Sequence, residues 1–88
     1  MNAELLSLSY MNKATMLGNP TYDYATDTAL QCARECLADP LCKAFQLYRN
    51  VEPAAASVSC RRHDELSFVV YDPMSVVYFT RNGTMPFQ

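Results

Sequence analysis

The sequence predicts an α+β domain in which one helix packs on an antiparallel sheet and disulfides fasten it there. A single segment carries helix-boundary signals: the capping pattern Thr28-x-x-Gln31 at its start and Asp39-Pro40 at its end. The other apolar and aromatic segments are short, rich in β-branched residues and separated by turn residues. Four cysteines in 88 residues, an even number in a small chain, point to a disulfide framework formed in an oxidising compartment.

Leu5 to Met11 (LLSLSYM) alternates weakly and reads as the first strand. Asn12 to Tyr24 contains Gly18, Asn19 and Pro20, so it is expected to be irregular with one short extended piece. The helix opens at Thr28, with Asp27 as a competing cap, and runs to about Ala38. Pro40 stops it by disfavouring helical backbone at Asp39. Cys42 to Tyr48 (CKAFQLY) is a strand, Arg49 to Ala56 (RNVEPAAA) a loop, and Ser57 to Arg61 a short strand containing Cys60. Arg61 to Glu65 (RRHDE) reads as a solvated hairpin tip. Leu66 to Val70 and Ser75 to Thr80 read as two further strands joined by a turn at Asp72-Pro73. Asn82-Gly83 is a last turn signal. The predicted order is strand, helix, then four strands, in one domain spanning residues 1–88.

Size and composition narrow the function. A chain this short buries only about 60–65% of its unfolded surface, so its core alone stabilises it weakly. Half of its residues are hydrophobic and 18% are charged, as in a folded globule rather than a disordered chain. Seven scattered Lys and Arg and a net charge of −2 do not make a nucleic-acid surface. No apolar run is long enough to span a membrane. Two glycines cannot build a Gly-rich phosphate loop, and no cofactor is implied. The opening residues MNAELLSLSYMNKA lack the basic start and apolar stretch of a signal peptide. With an oxidising compartment, this implies a leader removed or replaced; with an intracellular location, it implies free thiols.

The cysteine spacing is C-x3-C-x5-C-x17-C. Cys32 and Cys36 lie four apart on the predicted helix and so project from one face, flanked by Ala29, Ala33 and Leu37, which mark that face as buried. A helix across two strands can be fastened twice, by a short link Cys36–Cys42 over the Asp39-Pro40 turn and a longer link Cys32–Cys60. A Cys32–Cys36 bond is disfavoured because both side chains lean the same way, and crossed links would strain the turn. On the chain-entropy model the nested links contribute about 2–2.5 and about 3.5 kcal/mol. The competing reading is a structural zinc site built from Cys32, Cys36, Cys42 and either Cys60 or His63, although no second close ligand pair is present. Nothing marks a cysteine as a catalytic thiol, since His63 sits in the charged run.

The stretch TALQCARECLADPLCKAFQLY, Thr28 to Tyr48, resembles the core of a PAN/apple domain. In that family a helix carries two cysteines, a third opens the next strand before a Lys/Ala/Phe-like segment, and a fourth follows a variable loop. Cys32, Cys36, Cys42, Cys60, Ala44 and Phe45 match those positions, and the resemblance covers about residues 22–61. It implies a helix cradled by a curved antiparallel sheet with nested disulfides, in the simpler four-cysteine form without an outer pair joining the termini. It further implies secretion or surface display and binding to proteins or carbohydrates without catalysis. No ligand residue transfers with it.

Candidate ligand residues therefore come from chemistry alone. Tyr22, Asp23, Tyr24 and Asp27, with the Arg49–Ala56 loop, are expected at the helix end or sheet rim. There tyrosines can stack on a sugar ring and carboxylates can accept its hydroxyl hydrogens; alternatively the tyrosines cover the core and the acids cap the helix. Arg61, Arg62 and His63 suit a sulfated or carboxylated ligand, or form a turn neutralised by Asp64 and Glu65. Asn82-Gly83-Thr84 is an N-glycosylation sequon. Adjacent Asp64 and Glu65 would point to opposite faces of a strand, which gives no paired-carboxylate acid/base machinery. Two functions remain: an extracellular module recognising a protein or glycan, and a subunit that self-associates through its apolar terminal segments into an extracellular assembly.

Overall fold

The computed structural model describes residues 8–48 and 58–80. In chain order they form β1 (Ser9–Met16), β2 (Tyr22–Thr26), α1 (Ala29–Ala38), β3 (Ala44–Tyr48), β4 (Val58–His63) and β5 (Val69–Phe79). The strands make one sheet in the order β1-β5-β3-β4-β2, and every neighbouring pair is antiparallel. The loop expected over Arg49–Ala56, the first residues of the LLSLSYM segment, and the Asn82 sequon with the apolar tail after it lie outside the described residues.

The helix begins and ends where the side chains dictate. Thr28 is extended, at φ −141° and ψ 158°, and its hydroxyl accepts a hydrogen bond from the Gln31 N–H. The Gln31 carboxamide reaches one residue further back than in a standard capping box, accepting from the Asp27 N–H at 3.0 Å. At the far end Asp39 is also extended, as the following proline requires, and its carboxylate accepts from the Leu41 N–H at 3.0 Å. This turn brings Cys42 back under the helix.

Both disulfides form, Cys32–Cys60 with Cα atoms 5.6 Å apart and Cys36–Cys42 with Cα atoms 5.3 Å apart. All four sulfurs are thereby used in covalent links rather than as zinc ligands. Cys32, Ala33 and Cys36 are buried against Phe45, Leu47, Cys42 and Cys60 in the core between helix and sheet. Leu37, expected on this face, is instead 38% exposed, because the stripe through positions 29, 32, 33 and 36 already faces the sheet and position 37 lies beside it. An aromatic row continues this core: Phe45 stacks on Tyr78 at 5.0 Å, and Tyr78 meets Tyr10 at 5.6 Å.

Three local expectations are overturned. The first strand runs from Ser9 to Met16 rather than ending at Met11, and a second edge strand, Tyr22–Thr26, precedes the helix. Gly18, Asn19 and Pro20 form only the connection between these strands. Asp72-Pro73 is not a hairpin turn. It lies inside the single strand β5, where the pairing with β1 jumps from Asn12↔Val76 to Ala14↔Tyr71. Four residues of β5 thus face Lys13 alone, a wide bulge in which Pro73 forfeits no ladder hydrogen bond. Lys13 takes the left-handed φ of 54° there. Finally, Arg61, Arg62 and His63 are not a solvated tip. They belong to β4, and His63 is buried.

The bulge closes a second core. Beyond it, Ala14 and Met16 of β1, with Val69 and Leu66, pack on Ala44, Val77 and Phe79, on the sheet face away from the helix. Gln46, buried between Phe45 and Leu47 in sequence but pointing to this second face, ties the ribbon down. Its Oε1 accepts from the Met16 N–H at 3.1 Å and its Nε2 donates to the Thr15 hydroxyl. At the ribbon end the connections 17–21 and 64–68 run side by side, with Leu17 N–H bonded to the Phe68 carbonyl and Gly18 N–H to the Ser67 hydroxyl. A Cβ on Gly18 would stand 2.9 Å from that hydroxyl oxygen, so a larger residue there would have to push the Ser67 side chain aside and loosen its bond to the Gly18 N–H.

Removing the links separately tests the clamp. Replacing Cys32 and Cys60 by alanine should cost about 3.5 kcal/mol, and replacing Cys36 and Cys42 about 2–2.5 kcal/mol, by the loop-length dependence of the unfolded chain. Urea unfolding of both double variants under non-reducing conditions checks the order. A greater loss from the short link would overturn the entropic account.

Candidate functional site

Strand β4 carries two arginines in succession, and alternation sends them to opposite faces of the sheet. Cys60 must face the helix to reach Cys32, so Arg62, two residues on, shares the helix face, while Arg61 and His63 share the other. Each guanidinium is held by tyrosines and carboxylates from neighbouring elements.

On the helix face, Arg62 Nη2 pairs with Asp39 Oδ2 at 2.6 Å, its Nη1 donates to the Tyr24 hydroxyl at 3.1 Å, and its guanidinium lies 4.5 Å from the centre of the Tyr22 ring. The Tyr24 hydroxyl in turn donates to Glu35 Oε1 on the helix, and Gln31 Nε2 donates to Glu35 Oε2. Register explains the convergence, since Tyr22 pairs with Arg62 across β2 and β4 and Tyr24 pairs with Cys60. The hydrogen bond from Tyr24, with a second from Gln31, lowers the Glu35 pKa below its ordinary value. Burial, with the hydrogen bond to Glu35, raises that of Tyr24 against the opposing pull of Arg62. Burial disfavours the Arg62 charge, but Tyr24 and Asp39 outweigh it and the guanidinium pKa is raised.

On the second face, Arg61 Nε stands 3.4 Å from Asp23 Oδ2 and the guanidinium lies 4.9 Å from the centre of the Tyr48 ring. The Tyr48 hydroxyl donates to Asp72, whose other oxygen accepts from the Met74 N–H at 2.9 Å. Those two hydrogen bonds lower the Asp72 pKa, Tyr48 contributing more, and the same Tyr48–Asp72 bond is the main cause of the raised Tyr48 value. His63 lies next along this face, 2% exposed, with its Nε2 buried and unbonded.

The expected ligand residues are therefore distributed over both faces. Tyr22, Tyr24 and Arg62 come together on the helix face, Asp23 and Arg61 on the other, and Asp27 lies exposed at the helix start. Each arginine is matched by two carboxylates, Glu35 and Asp39 in one cluster and Asp23 and Asp72 in the other. Neither cluster thus presents an uncompensated positive charge to an anion. What the helix-face cluster does present is an exposed tyrosine ring, Tyr22, stacked on a guanidinium whose partner Asp39 also holds the turn that carries exposed Leu41. A sugar face or an apolar side chain can stack there. Glu35, Asp39, Tyr48 and Asp72 are partners that sequence reasoning missed. Parity along β4 from Cys60 would have found the first two, because it places Arg62 under the helix. Exposed Leu17, Phe68 and Val70 cluster at the ribbon end.

Among the described residues no group of three or more His, Cys, Asp or Glu side chains is gathered in a way that holds a metal ion, and no helix is long and apolar enough to cross a membrane. Comparison with family models, curated proteins and solved structures finds no match to this chain.

Replacing Arg62 by methionine keeps an unbranched apolar stem but removes the guanidinium, which strands Asp39 and the Tyr24 hydroxyl in a partly buried site. The expected loss is about 2–3 kcal/mol in urea unfolding, whereas Tyr22→Ala, which removes only the exposed ring, should lose about 1 kcal/mol or less. Equal losses would show that the Arg62 pairings contribute nothing beyond stacking.

Proposed function

We propose that the chain is a non-catalytic extracellular recognition module of the PAN/apple type that binds a protein or glycan through the Tyr22 platform. The observation that carries this reading is the pair of nested disulfides joining one helix face to the lead-in of β3 and to β4. They occupy the cysteine positions on which the family resemblance rests, and structural disulfides of this kind belong to oxidising compartments. The platform supports the recognition role: an exposed aromatic ring stacked on a paired arginine is the composition of binding hot spots.

A second reading, a subunit of a self-associating extracellular assembly, is favoured by β2. It is an edge strand whose register with β4 runs unbroken over five pairs, without the bulge that distorts the other edge, β1. Such an edge can add a strand from a second copy.

Secreted native protein should yield Cys32–Cys60 and Cys36–Cys42 peptides in non-reducing proteolytic mapping. Light scattering behind size exclusion should report a monomer, and glycan and protein arrays should give a signal that Tyr22→Ala reduces at least tenfold. Free thiols would remove the basis for the family and the compartment. Concentration-dependent particles with no array signal would replace the recognition role with the assembly role.

A further inference from the structure

The two faces of the sheet are secured by different means. Both disulfides lie in the core under the helix. The second core holds neither link, and the ribbon of β1 and β5 stays on it through apolar packing and the Gln46 carboxamide. His63 belongs to that second face. It pairs across the sheet with Ala44, a member of the second core, and its carbonyl accepts from the Lys43 N–H at 2.9 Å. An imidazole on this face is 2% exposed only because something covers it. The helix lies on the other face, and on this one His63 stands between Ala44, on which the ribbon packs, and the 64–68 connection that leads into β5. Thr21 in one connection bonds through its hydroxyl to the Asp64 N–H in the other.

The imidazole is poorly provided for as a cation. Its Nε2 has no hydrogen-bond partner. From β4, Arg61 presents a positive charge. From β2 comes Asp23, already tied to Arg61, and from the following connection comes Asp64. Glu65 beyond it is exposed. The ribbon-end residues Ala14 to Leu17 and Leu66 to Val70 carry no charge. Burial first, and Arg61 second, lower the His63 pKa from its ordinary value against the weaker attraction of Asp23 and Asp64.

We propose that His63 is an acid-sensitive latch: its protonation releases the β1–β5 ribbon end from the second face while the disulfide-clamped helix half stays folded. The sign follows from linkage. A base whose pKa is lowered by folding binds its proton more tightly in the open form. Closure is therefore fully favoured above pH ~6.5 and weakens as pH falls from there through the folded value, by tenfold for each pH unit separating the two pKa values. Glu35 and Asp72, with their lowered carboxyl values, act only below about pH 4.5 and leave the intervening range to His63. Release would uncover Met16, Val77 and Phe79, which are buried in the closed ribbon. The inference is independent of the ligand-binding reading.

Hydrogen exchange of the wild-type chain between pH 7.5 and 5.0, corrected for intrinsic rates, tests it directly. The Met16 and Leu17 amides, bonded to Gln46 and Phe68, should lose protection about tenfold or more, while amides of α1 and β3 keep theirs. In His63→Gln the difference between the two pH values should vanish. An NMR titration of the wild-type imidazole, which needs no variant, should give a value below 6.5. Uniform loss across both halves, unchanged Met16 and Leu17 amides, or a titration at or above 6.5 would each overturn the latch.

Discussion

The structure depends on two sulfur bridges that leave one face of a ten-residue helix and land on different parts of the sheet. A helix of that length is marginal alone in water, so its persistence comes from what it is attached to. The short bridge closes the return over Asp39-Pro40 and sets where β3 begins. The long bridge sets which residues of β4 look toward the helix. Once Cys60 faces Cys32, alternation leaves no freedom: Arg62 must lie under the helix, and Arg61 and His63 must lie on the far side. The surroundings of both arginines follow from that parity.

They follow in a consistent way. Each arginine lies over a tyrosine ring from an adjacent strand, within reach of a carboxylate from β2 or the Asp39 turn, and a second tyrosine–carboxylate bond extends each group outward. Neither pairing is deeply buried, and the Asp23–Arg61 pair in particular is half-exposed and contributes little to stability. Their value is in geometry. Stacking and pairing together hold two long, rotamer-rich side chains in one orientation, so the exposed Tyr22 ring has a firm backing.

The cysteine pairing and the helix boundaries were legible in the sequence because each rests on local chemistry: a hydroxyl three residues before an N–H, a proline after an aspartate, two thiols one turn apart. The β-structure was less so. Asp72-Pro73 and Gly18-Asn19-Pro20 carry the same turn signal, but only the second is a connection. The first is absorbed by a bulge whose partner, Lys13, lies about sixty positions away in sequence and cannot be read locally. The RRHDE run misled for a related reason. Charge alone suggests solvent, yet a strand interior accepts arginine when tyrosines and acids from other strands surround it, and those neighbours are set by register. The Tyr22 platform was half legible: its tyrosines and arginines were evident, its acids Glu35 and Asp39 were not.

The two halves of the domain also differ in how far apart in sequence their fastenings lie. The helix face is closed by links spanning 6 and 28 positions, both covalent. The second face is closed by Gln46 reaching back 30 and 31 positions and by Gly18 meeting Ser67 across 49, all through single hydrogen bonds and apolar contact. Longer closures carry more entropy cost, and here the longest are held by the weakest interactions. Placing the chain's one histidine in the weakly held half, without a partner for its second nitrogen, adds little to packing that a leucine or methionine would not supply. A buried imidazole in that position makes the closure of the second face conditional on pH, whereas the disulfides keep the first face closed regardless of it.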